Sequence, residues 1–390
     1  MKKLFVVAGE VSGDTHGSGL MQCLLNASDS EESNGEPAFE ISGLGGSEMT
    51  RLSNGIENWL GDAAVLGLWE VLCKYGYFRR KMAETVARVA EIKPDAVILI
   101  DYPGFNLRLA DRLRQQGYSG KLIYYISPQV WAWKKGRISK MEKLLDLMIC
   151  IFPFEKDLYE SSGLETVFAG HPLVDKLTSL RSKDVRDDKL IALLPGSRER
   201  EIEVLFPAMI EAARRLRDKH DDLSFATAAP SDKLADRMQE MAEEGGLEQL
   251  KIDTGGAHRL MQRAVAGVVA SGTATLEAAV FGLPYCLVYR VAWPTYMIGR
   301  MLIKVQYLGI VNILAGREVV KELLQGDACA ACIFEELESL LSDPEKRAEL
   351  EGDLAEVVER LGAGQAYEQA AAAVTAGLSD SAKSPTTAVE

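Results

Sequence analysis

The sequence predicts an α/β protein of two Rossmann-like lobes, each with a parallel β-sheet covered by helices. Short apolar runs typical of buried strands alternate with helical patterns from the first residues onward. The same alternation starts again after a charged segment at 175–188. The chain has 390 residues, which is long for one domain and comfortable for two. We therefore expect two lobes facing each other across a cleft.

The first lobe is predicted to cover residues 1–174. An apolar strand at 4–8 leads through a turn into a helix that reaches residue 26, and a second helix is predicted over 64–90. Residues 28–37 are polar and are predicted to form a loop. The other strands of this lobe are expected at 39–46, 95–101, 121–127, 147–154 and 166–169.

Residues 175–188 are charged, have little apolar periodicity and are predicted to link the lobes. The second lobe is predicted over 189–350, with a helix at 199–219. Helical patterns cover 318–361 and 364–376, so we assign 351–376 to C-terminal helices and 377–390 to a disordered tail. Strands of this lobe are expected at 189–194, 223–229, 250–252, 265–270 and 285–291.

Composition argues against two broad classes of protein. The formal net charge of −13 disfavours generic nucleic-acid binding, which depends on neutralising phosphates with Lys and Arg. No apolar run reaches the ~18 residues that a membrane-spanning helix requires. The basic start, Lys2 and Lys3, precedes an apolar stretch too short for a signal peptide. We interpret that stretch as the first core strand and expect a cytoplasmic protein.

The turn between the strand at 265–270 and the next helix has the sequence Ser-Gly-Thr. Gly272 can adopt backbone angles that a side chain forbids. The hydroxyls of Ser271, Thr273 and Thr275 flank a helix N-terminus, whose free N–H groups attract anions. Glu277, one turn into the helix, could accept hydrogen bonds from a ribose diol. Taken alone, the pattern fits a phosphate site and an ordinary capped helix equally well.

A second strand-to-helix turn favours the phosphate site. Gly196, Ser197 and Arg198 follow the strand at 189–194, so their turn would present backbone N–H groups at the same sheet edge. Arg198 adds a cation that suits a diphosphate. The segment from Asn312 to Arg317 adds polar groups that could close over a nucleotide. The second lobe is therefore predicted to hold a phosphorylated donor.

The first lobe carries acids at its own strand ends. Glu10 and Asp14 follow the first strand, and Asp101 ends the strand at 95–101, where Asn106 adds an amide. Ligands of open α/β sheets bind at this carboxyl edge. Carboxylates there would repel phosphates but suit proton abstraction from a hydroxyl, although each acid could instead cap a helix. The first lobe is predicted to bind and activate an alcohol.

An apolar and basic segment lies within the helix predicted at 64–90. Large apolar side chains stand beside cations, a composition typical of a helix on a membrane surface. A core helix with a solvated end explains these residues equally well. The residues predicted to associate with a membrane are Leu68, Trp69, Leu72, Lys74, Phe78, Arg79, Arg80 and Lys81.

Other motifs are weak. Cys329 and Cys332 have CxxC spacing, which is a weak metal or redox signal; without a second pair or a nearby histidine we favour helix packing. The glycines at 43–46 do not complete a dinucleotide fingerprint, and the turn at 9–13 lacks the spacing and lysine of a P-loop. Of the four histidines only His171 lies at a promising loop, and no Ser/His/Asp hydrolase pattern is evident.

Eight motifs stand in order along the chain, namely AGEVSGD (8–14), IDYPGFN (100–106), SPQVWAWKKGR (127–137), FPFEK (152–156), GHPLVD (170–175), LLPGSR (193–198), SGTATLE (271–277) and NILAGREVVKELLQ (312–325). Together they resemble the lipid-A-disaccharide synthase family of inverting glycosyltransferases with the two-lobed GT-B fold. One such string would be weak, but the ordered set is highly specific.

The resemblance implies a hexosyltransferase. It would transfer 2,3-diacylglucosamine from its UDP-linked form to the 6-hydroxyl of 2,3-diacylglucosamine 1-phosphate (lipid X), giving a β-1,6 disaccharide and UDP. Asp101 matches the family's general base, with Glu10 and Asp14 as further catalytic acids near the acceptor. The residues expected to bind the acceptor are Ser12, Gly13, Asn106, Trp131 and Arg137. Those expected to bind the UDP-sugar are Gly196, Ser197, Arg198, Ser271, Gly272, Thr273, Thr275, Glu277, Asn312 and Arg317.

The resemblance also implies that no metal or cofactor is needed, because helix N-termini and Arg198 would stabilise the leaving diphosphate. The apolar and basic segment would hold the enzyme peripherally at the cytoplasmic face of the inner membrane. The family's C-terminal helices can cross back onto the first lobe and swap between subunits, which is compatible with a homodimer. Gly104 stands where some relatives carry a second acid, so that acid cannot be essential here.

Two other functions fit a two-lobed fold. A UDP-sugar 2-epimerase has the same fold and similar nucleotide contacts, but it would not need the apolar and basic segment. A non-catalytic ligand-binding protein of two lobes is disfavoured, since such proteins are usually exported and we find no signal peptide.

Overall fold

Two compact units make up the structure. The computed structural model describes residues 1–26, 38–63, 75–133, 135–182, 185–293, 296–297 and 306–379. Unit 1 contains the described residues of Met1–Pro172 and those from Gly362 onward, and unit 2 is Leu173–Leu361.

In unit 1, the described part of the chain forms a parallel sheet of seven strands. These are β1 (Lys2–Ala8), β2 (Phe39–Gly45), β3 (Ile56–Asn58), β4 (Ala96–Ile100), β5 (Lys121–Tyr125), β6 (Leu147–Cys150) and β7 (Thr166–Phe168). Their order in the sheet is β3-β2-β1-β4-β5-β6-β7. The central strands are continuous apolar runs, and Leu4, Val6 and Ile98 are completely buried because both faces of the sheet are covered.

The described residues of unit 2 form a second parallel sheet, of six strands. These are β8 (Asp187–Leu194), β9 (Ser224–Ala229), β10 (Lys251–Thr254), β11 (Ala264–Ala270), β12 (Tyr285–Tyr289) and β13 (Glu322–Leu324). Their order is β10-β9-β8-β11-β12-β13. All of β11 is buried, as expected for a strand at the centre of a covered sheet. The predicted α/β fold with two Rossmann-like parallel sheets is confirmed.

Helices connect the strands. In the first part of the chain they are α1 (Val11–Asn26), α2 (Ser47–Leu52), α3 (Leu60–Ala63), α4 (Tyr75–Ile92), α5 (Pro103–Gln115), α6 (Val130–Trp133), α7 (Ile138–Leu144), α8 (Pro153–Glu160) and α9 (Pro172–Thr178). They continue with α10 (Glu199–Lys219), α11 (Asp232–Glu244), α12 (Ala257–Arg263), α13 (Thr273–Val280), α14 (Ile310–Ala315), α15 (Ala330–Ser342), α16 (Pro344–Arg360) and α17 (Ala366–Ser379). No helix in these described ranges is long and apolar enough to span a bilayer.

Both sheets have a topological switch point beside their first strand. β1 pairs with β2 on one side and with β4 on the other, and β8 pairs likewise with β9 and β11. In open α/β sheets this crevice, outside the carboxyl ends of the strands, is where ligands bind. The predicted acids follow β1 and β4, and the predicted glycine turns follow β8 and β11.

Several predicted boundaries were wrong. Residues 322–324, predicted as helix, form β13. The prediction failed because three residues are too few to distinguish a strand from a helix by periodicity. The predicted division at 350 falls inside α16, which belongs wholly to unit 2. α17 extends to Ser379 and packs against α1 of the same chain within unit 1. The loop predicted at 28–37 lies outside the described residues.

Candidate active site

Asp101 lies in a strained turn directly after β4. Asp101 and Tyr102 have φ angles of 43° and 45°, which residues other than glycine rarely adopt. The Asn106 amide donates hydrogen bonds to the carbonyls of Ile100 and Asp101, at 3.0 and 2.8 Å. The Tyr124 hydroxyl donates to the Asp101 carbonyl at 2.5 Å. Backbone strain that the surrounding structure maintains in this way clusters at functional sites.

The surroundings of the Asp101 carboxyl suit a base that titrates near neutral pH. Burial, and secondarily the negative charge of Glu10, raise the pKa of Asp101 to about 6. The Tyr102 ring packs directly on Gly9, where a β-carbon would lie 2.1 Å from the ring. Residue 9 therefore has to be glycine for the ring to cover this side of the turn. A carboxyl with such a pKa can accept a proton from a hydroxyl at physiological pH.

Two of the three predicted catalytic acids come together. Glu10 is exposed at the start of α1, and its charge acts on Asp101. Ser12 is exposed beside it, whereas Gly13 is buried, where an added β-carbon would lie 3.4 Å from the side chain of Ala8. Gly13 is thus covered by Ala8 and Ile100, and Glu10, Ser12 and Asp101 remain candidates for contact with an acceptor.

Asp14 has a structural role, which corrects the predicted catalytic one. Its side chain is buried, and its Oδ1 accepts hydrogen bonds from the backbone N–H groups of Gly46 and Met49, at 2.7 and 3.1 Å. Its Oδ2 accepts from the N–H of Glu48 at 2.9 Å. These N–H groups begin α2 and have no partner within that helix. Asp14 caps α2, and both of its oxygens are engaged.

Asn106 is also corrected, from acceptor binding to positioning. Its side chain is completely buried, and its amide group donates to the backbone carbonyls of Ile100 and Asp101. A side chain without exposed surface cannot contact a sugar. Asn106 therefore contributes to the site by holding the turn that presents Asp101.

Trp131 has a buried partner that sequence reasoning missed. Its indole N–H donates to Oε1 of Glu155 at 3.1 Å. Glu155 is 1% exposed, and burial raises its pKa to about 7 although hydrogen bonds from Trp131 and Phe152 oppose the rise. Its position in the first turn of α8 was a usable signal, since a glutamate there commonly accepts the N–H at the cap, here Phe152 at 3.3 Å. Arg137, predicted to bind the acceptor, is half-buried after α6.

His171, the histidine singled out in the sequence, is a neutral imidazole. Burial, and then the proximity of His16, lower the pKa of His171 to about 4. Its ring lies against that of Phe152, with centroids 5.1 Å apart. His171 therefore carries no positive charge at neutral pH with which to bind a phosphate.

Unit 2 carries a pocket of about 350 Å³ at the carboxyl ends of β8 and β11. The turns after these strands contain Gly196 and Gly272, with φ angles of 110° and 149° that favour glycine. α10 and α13 begin at these turns, so unpaired N–H groups of two helices are available to an anion. The predicted donor residues that line the pocket are Gly196, Ser197, Arg198, Ser271, Gly272, Thr273 and Glu277.

Arg198 extends at the rim of this pocket. Its side chain is 81% exposed, and its Nη1 lies 2.7 Å from Oε1 of Glu201, another lining residue. An exposed ion pair of this kind contributes only about 0–1 kcal/mol, so a bound diphosphate can compete for the guanidinium. Sequence reasoning missed Glu201, although it stands in the first turn of α10, where a glutamate often reaches back to the cap.

Glu277 has a histidine beside it. Oε2 of Glu277 lies 3.4 Å from Nε2 of His258, whose ring also packs against Phe281 with centroids 5.4 Å apart. His258 comes from α12, which no sequence motif connects to the pocket. The structure therefore adds His258 as a candidate that orients the Glu277 carboxylate.

Two residues predicted to bind the nucleotide are buried and satisfied within unit 2. Thr275 donates its hydroxyl hydrogen to the carbonyl of Gly272 at 2.7 Å. Asn312 donates its amide hydrogens to the carbonyl of Val320 and to Oε1 of Glu322, each at 2.8 Å. Each side chain is 1% exposed, so direct contact with a nucleotide is corrected to support of the surrounding loops.

Arg317, also predicted to bind the nucleotide, is held by α16. Its two terminal nitrogens lie 2.8 and 2.6 Å from the two oxygens of Asp353. In this bidentate geometry the guanidinium binds the Asp353 carboxylate as it would bind a phosphate. The ion pair attaches the end of α14 to α16, and because the Arg317 side chain is 52% exposed, its contact with a nucleotide stays a prediction.

The apolar and basic segment is only partly described. Leu68, Trp69, Leu72 and Lys74 lie outside the described residues. Phe78 packs inward against Trp59 with ring centroids 6.3 Å apart, and Arg79 and Arg80 are exposed. Lys81 is buried, with its Nζ 2.5 Å from Glu57 and 3.3 Å from Glu84, which corrects its predicted place on a membrane-facing surface.

Comparison with known proteins shows what this chain is similar to. Among solved structures, it is similar to UDP-GlcNAc 2-epimerase from Neisseria meningitidis bound to UDP-GlcNAc, with a TM-score of 0.60, 12% identity and coverage of 96% of this chain and 100% of that one. It is also similar to CalG4, the calicheamicin glycosyltransferase, with a TM-score of 0.55, 15% identity and coverage of 98% and 100%. At such identities the likeness concerns the fold alone.

Sequence comparison is more specific. The chain is 37% identical over 380 residues to lipid-A-disaccharide synthase of Syntrophus aciditrophicus, covering 95% of this chain and 96% of that protein. Residues 4–376 match the family described as lipid-A-disaccharide synthetase. The chain therefore belongs to the lipid-A-disaccharide synthetase family.

Proposed function

We propose that this protein transfers a 2,3-diacylglucosaminyl group from its UDP-linked form to the 6-hydroxyl of 2,3-diacylglucosamine 1-phosphate, with inversion at the anomeric carbon. The coarser statement, a glycosyltransferase of lipid A biosynthesis, follows from family membership. The observation that carries the finer proposal is the strained Asp101 turn, which holds a carboxyl of raised pKa at a switch point.

In this mechanism, Asp101 takes the proton from the 6-hydroxyl of the acceptor. The resulting oxygen nucleophile attacks the anomeric carbon of the donor from the face opposite to UDP, the bond to the diphosphate breaks, and UDP leaves. Arg198 and the N-termini of α10 and α13 would stabilise the negative charge that develops on the leaving diphosphate. The pocket in unit 2 thus supplies the donor site of the proposal, and no metal has a role in it.

Membrane association is the second part of the proposal. Both substrates carry acyl chains, so the enzyme would meet them at the cytoplasmic face of the inner membrane. The exposed side chains of Arg79 and Arg80 support this placement, since cations at a membrane surface are attracted to anionic lipids. Assembly as a homodimer remains a prediction.

The test is an assay of the purified protein with both substrates and a metal chelator. Mass spectrometry follows UDP and the tetraacyl disaccharide phosphate, and we expect both products to appear together, with the β configuration established by NMR. Non-acylated UDP-GlcNAc is the matched control. If the disaccharide fails to appear and the control sugar is epimerised at carbon 2, the alternative UDP-sugar 2-epimerase replaces the transferase.

A further inference from the structure

The CxxC pair of unit 2 has no role in the proposed reaction. Cys329 is the N-cap residue of α15 and Cys332 lies in its first turn. The two Sγ atoms are 3.4 Å apart, and both residues are partly exposed. A disulfide requires sulfurs at about 2.05 Å, so a small rotation of the two side chains would close the bond. The two sulfurs are therefore close enough together to be candidates for oxidation to a disulfide.

The first turn of α15 favours a thiolate at Cys329. Hydrogen bonds with the backbone N–H of Cys332, then with its side chain, and with the N–H of Ala331 lower the pKa of Cys329, with a smaller contribution from the charge of Arg290. The hydrogen bond to Cys329 raises the pKa of Cys332. Arg290 is fixed nearby, donating to the carbonyls of Gln325 and Ala328 at 3.0 and 2.7 Å. Cys329 is thus the more easily deprotonated of two sulfurs that lie 3.4 Å apart.

The other described cysteines lack this chemistry. Burial raises the pKa of Cys150 and Cys286, which have no exposed thiol for a reagent to reach. Burial also raises the pKa of Cys23, which is partly exposed in α1. Among the cysteines that the structure describes, Cys329 alone combines exposure, a lowered pKa and a second sulfur within contact.

Metal binding is the competing use of a CxxC pair. A structural zinc site takes four ligands, usually from Cys and His. Across the described part of the chain, no group of three or more Cys, His, Asp or Glu side chains is arranged to hold a metal ion. Cys329 and Cys332 would supply only two ligands, which favours disulfide chemistry.

We propose that Cys329 and Cys332 form a redox-active dithiol that exchanges with low-molecular-weight disulfides such as oxidised glutathione. The Cys329 thiolate attacks one glutathione sulfur, the glutathione S–S bond breaks, and one glutathione thiolate leaves. Cys332 then loses its proton, attacks the Cys329 sulfur, and displaces the second glutathione thiolate. The protein dithiol is oxidised by two electrons to a disulfide, and oxidised glutathione is reduced to two molecules of glutathione, which take up the two protons.

The test follows the covalent state of the full-length protein without sugar substrates, so its result is independent of the proposed glycosyl transfer. With limiting iodoacetamide, we expect Cys329 to be alkylated at least about tenfold faster than Cys23, because the thiolate is the reactive form. After incubation with oxidised glutathione, peptide mass spectrometry should show one peptide containing both cysteines, lighter by two hydrogen atoms. Dithiothreitol should restore both thiols.

Three single substitutions complete the experiment, each checked for native folding by circular dichroism. Cys332→Ser should accumulate a glutathione adduct on Cys329, because the resolving thiol is gone. Cys329→Ser should abolish both adduct and bridge, whereas Cys23→Ser, the matched control, should form the bridge as the natural chain does. Equal alkylation of Cys329 and Cys23, or absence of the bridged peptide at every ratio of oxidised to reduced glutathione, would overturn the proposal.

Discussion

At the scale of one residue, substitution of Asp101 tests catalysis separately from nucleotide binding. Asp101→Asn preserves the shape of the side chain but removes the proton acceptor, so turnover should fall by roughly 10²–10⁴, the usual contribution of a general base. UDP binds in unit 2 according to our proposal, so its affinity, measured by isothermal titration calorimetry, should be unchanged. Arg108→Gln, at an exposed position of α5 without a proposed role in the reaction, is the control for local disturbance. A parallel loss of UDP affinity would argue against this role for Asp101.

The same substitution should make the protein more stable above neutral pH. Because folding raises the pKa of Asp101 from 3.8 to about 6, the folded state binds the proton more tightly than the unfolded state. Its stabilising contribution is full below pH 3.8 and is lost as the pH rises through about 6. At pH 8 Asp101→Asn should therefore raise the free energy of unfolding by up to about 3 kcal/mol.

Denaturant unfolding at two pH values measures this effect. We expect the difference between Asp101→Asn and the natural protein to be clear at pH 8 and absent at pH 3.5. A gain of the same size at both pH values would mean that the carboxyl charge is not its source. Strain at Asp101 and Tyr102 persists in both proteins, so it cancels in the comparison.

Sequence reasoning could find Asp101 but could not separate Asp14 from Glu10. Asp101 follows a strongly apolar strand, so its place at the carboxyl edge of a sheet could be predicted. Glu10 and Asp14 follow the same strand four residues apart, and only the packing of α1 against α2 directs one carboxylate to solvent and the other to backbone N–H groups. Such a three-dimensional contact leaves no motif in the sequence.

At the scale of elements, the start of α2 depends on Asp14. Asp14→Ala would leave the N–H groups of Gly46, Glu48 and Met49 without their acceptor in a partly buried site. We expect the free energy of unfolding to fall by about 1–3 kcal/mol, the penalty for buried donors left unpaired. Thermal unfolding by circular dichroism measures the loss, and Glu10→Ala should show little of it. Equal stability of the Asp14→Ala and natural proteins would refute the capping role.

Arg198, at the start of α10, is expected to bind UDP through its positive charge. Arg198→Ala should weaken binding of UDP by roughly 10- to 100-fold, because a charge-assisted hydrogen bond contributes about 1.5–3 kcal/mol. Arg200→Ala removes an equal charge two residues further along and serves as the control, since Arg200 does not line the pocket. Fluorescence or calorimetric titration with UDP distinguishes them. If both variants lose the same affinity, the effect is one of net charge and the Arg198 assignment is wrong.

Elements with long periodic patterns could be predicted, and short ones could not. The bounds of α10 agree with the helix predicted at 199–219, because 21 residues give a clear apolar face. β3 and β13 have three residues each, and their place is decided by the neighbouring strand to which they pair. The turns at Gly196 and Gly272, our candidates for donor binding, could be predicted for a related reason. Each combines a long buried strand with a glycine in the turn after it, which are two separate signals in the sequence.

At the scale of the whole molecule, the family resemblance predicted that C-terminal helices cross back onto the first lobe, and α17 does so by completing unit 1. The chain enters unit 2 at Leu173 and returns at Gly362, and α17 then packs against α1. α17 contributes Tyr367 to this contact. A β-carbon added at residue 19, in α1, would lie 2.6 Å from the Tyr367 ring. Gly19 is therefore required for this close approach. The apolar pattern of α17 predicts a buried face, but not which of two units it covers.

Membrane binding should depend on two of the three adjacent cations in α4. Arg79 and Arg80 are exposed, and each cation near an anionic surface contributes about 1 kcal/mol. Replacing both with Gln should therefore weaken binding to phosphatidylglycerol-containing vesicles by roughly 10- to 30-fold in a sedimentation assay at low salt. Unchanged vesicle binding would remove these residues from the proposed membrane surface.

Lys81→Met provides the matched comparison within the same helix. Lys81 is buried and its ammonium group pairs with Glu57 and Glu84, so its loss should lower the free energy of unfolding by about 1–3 kcal/mol. Vesicle binding by the folded Lys81→Met protein should be unchanged. The double variant of Arg79 and Arg80 should thus change in the vesicle assay, and Lys81→Met in the unfolding assay. The reason is that α4 presents Arg79 and Arg80 to solvent, whereas Lys81 attaches the helix to unit 1. Reduced vesicle binding by the folded Lys81→Met protein would show that Lys81 reaches the membrane surface after all.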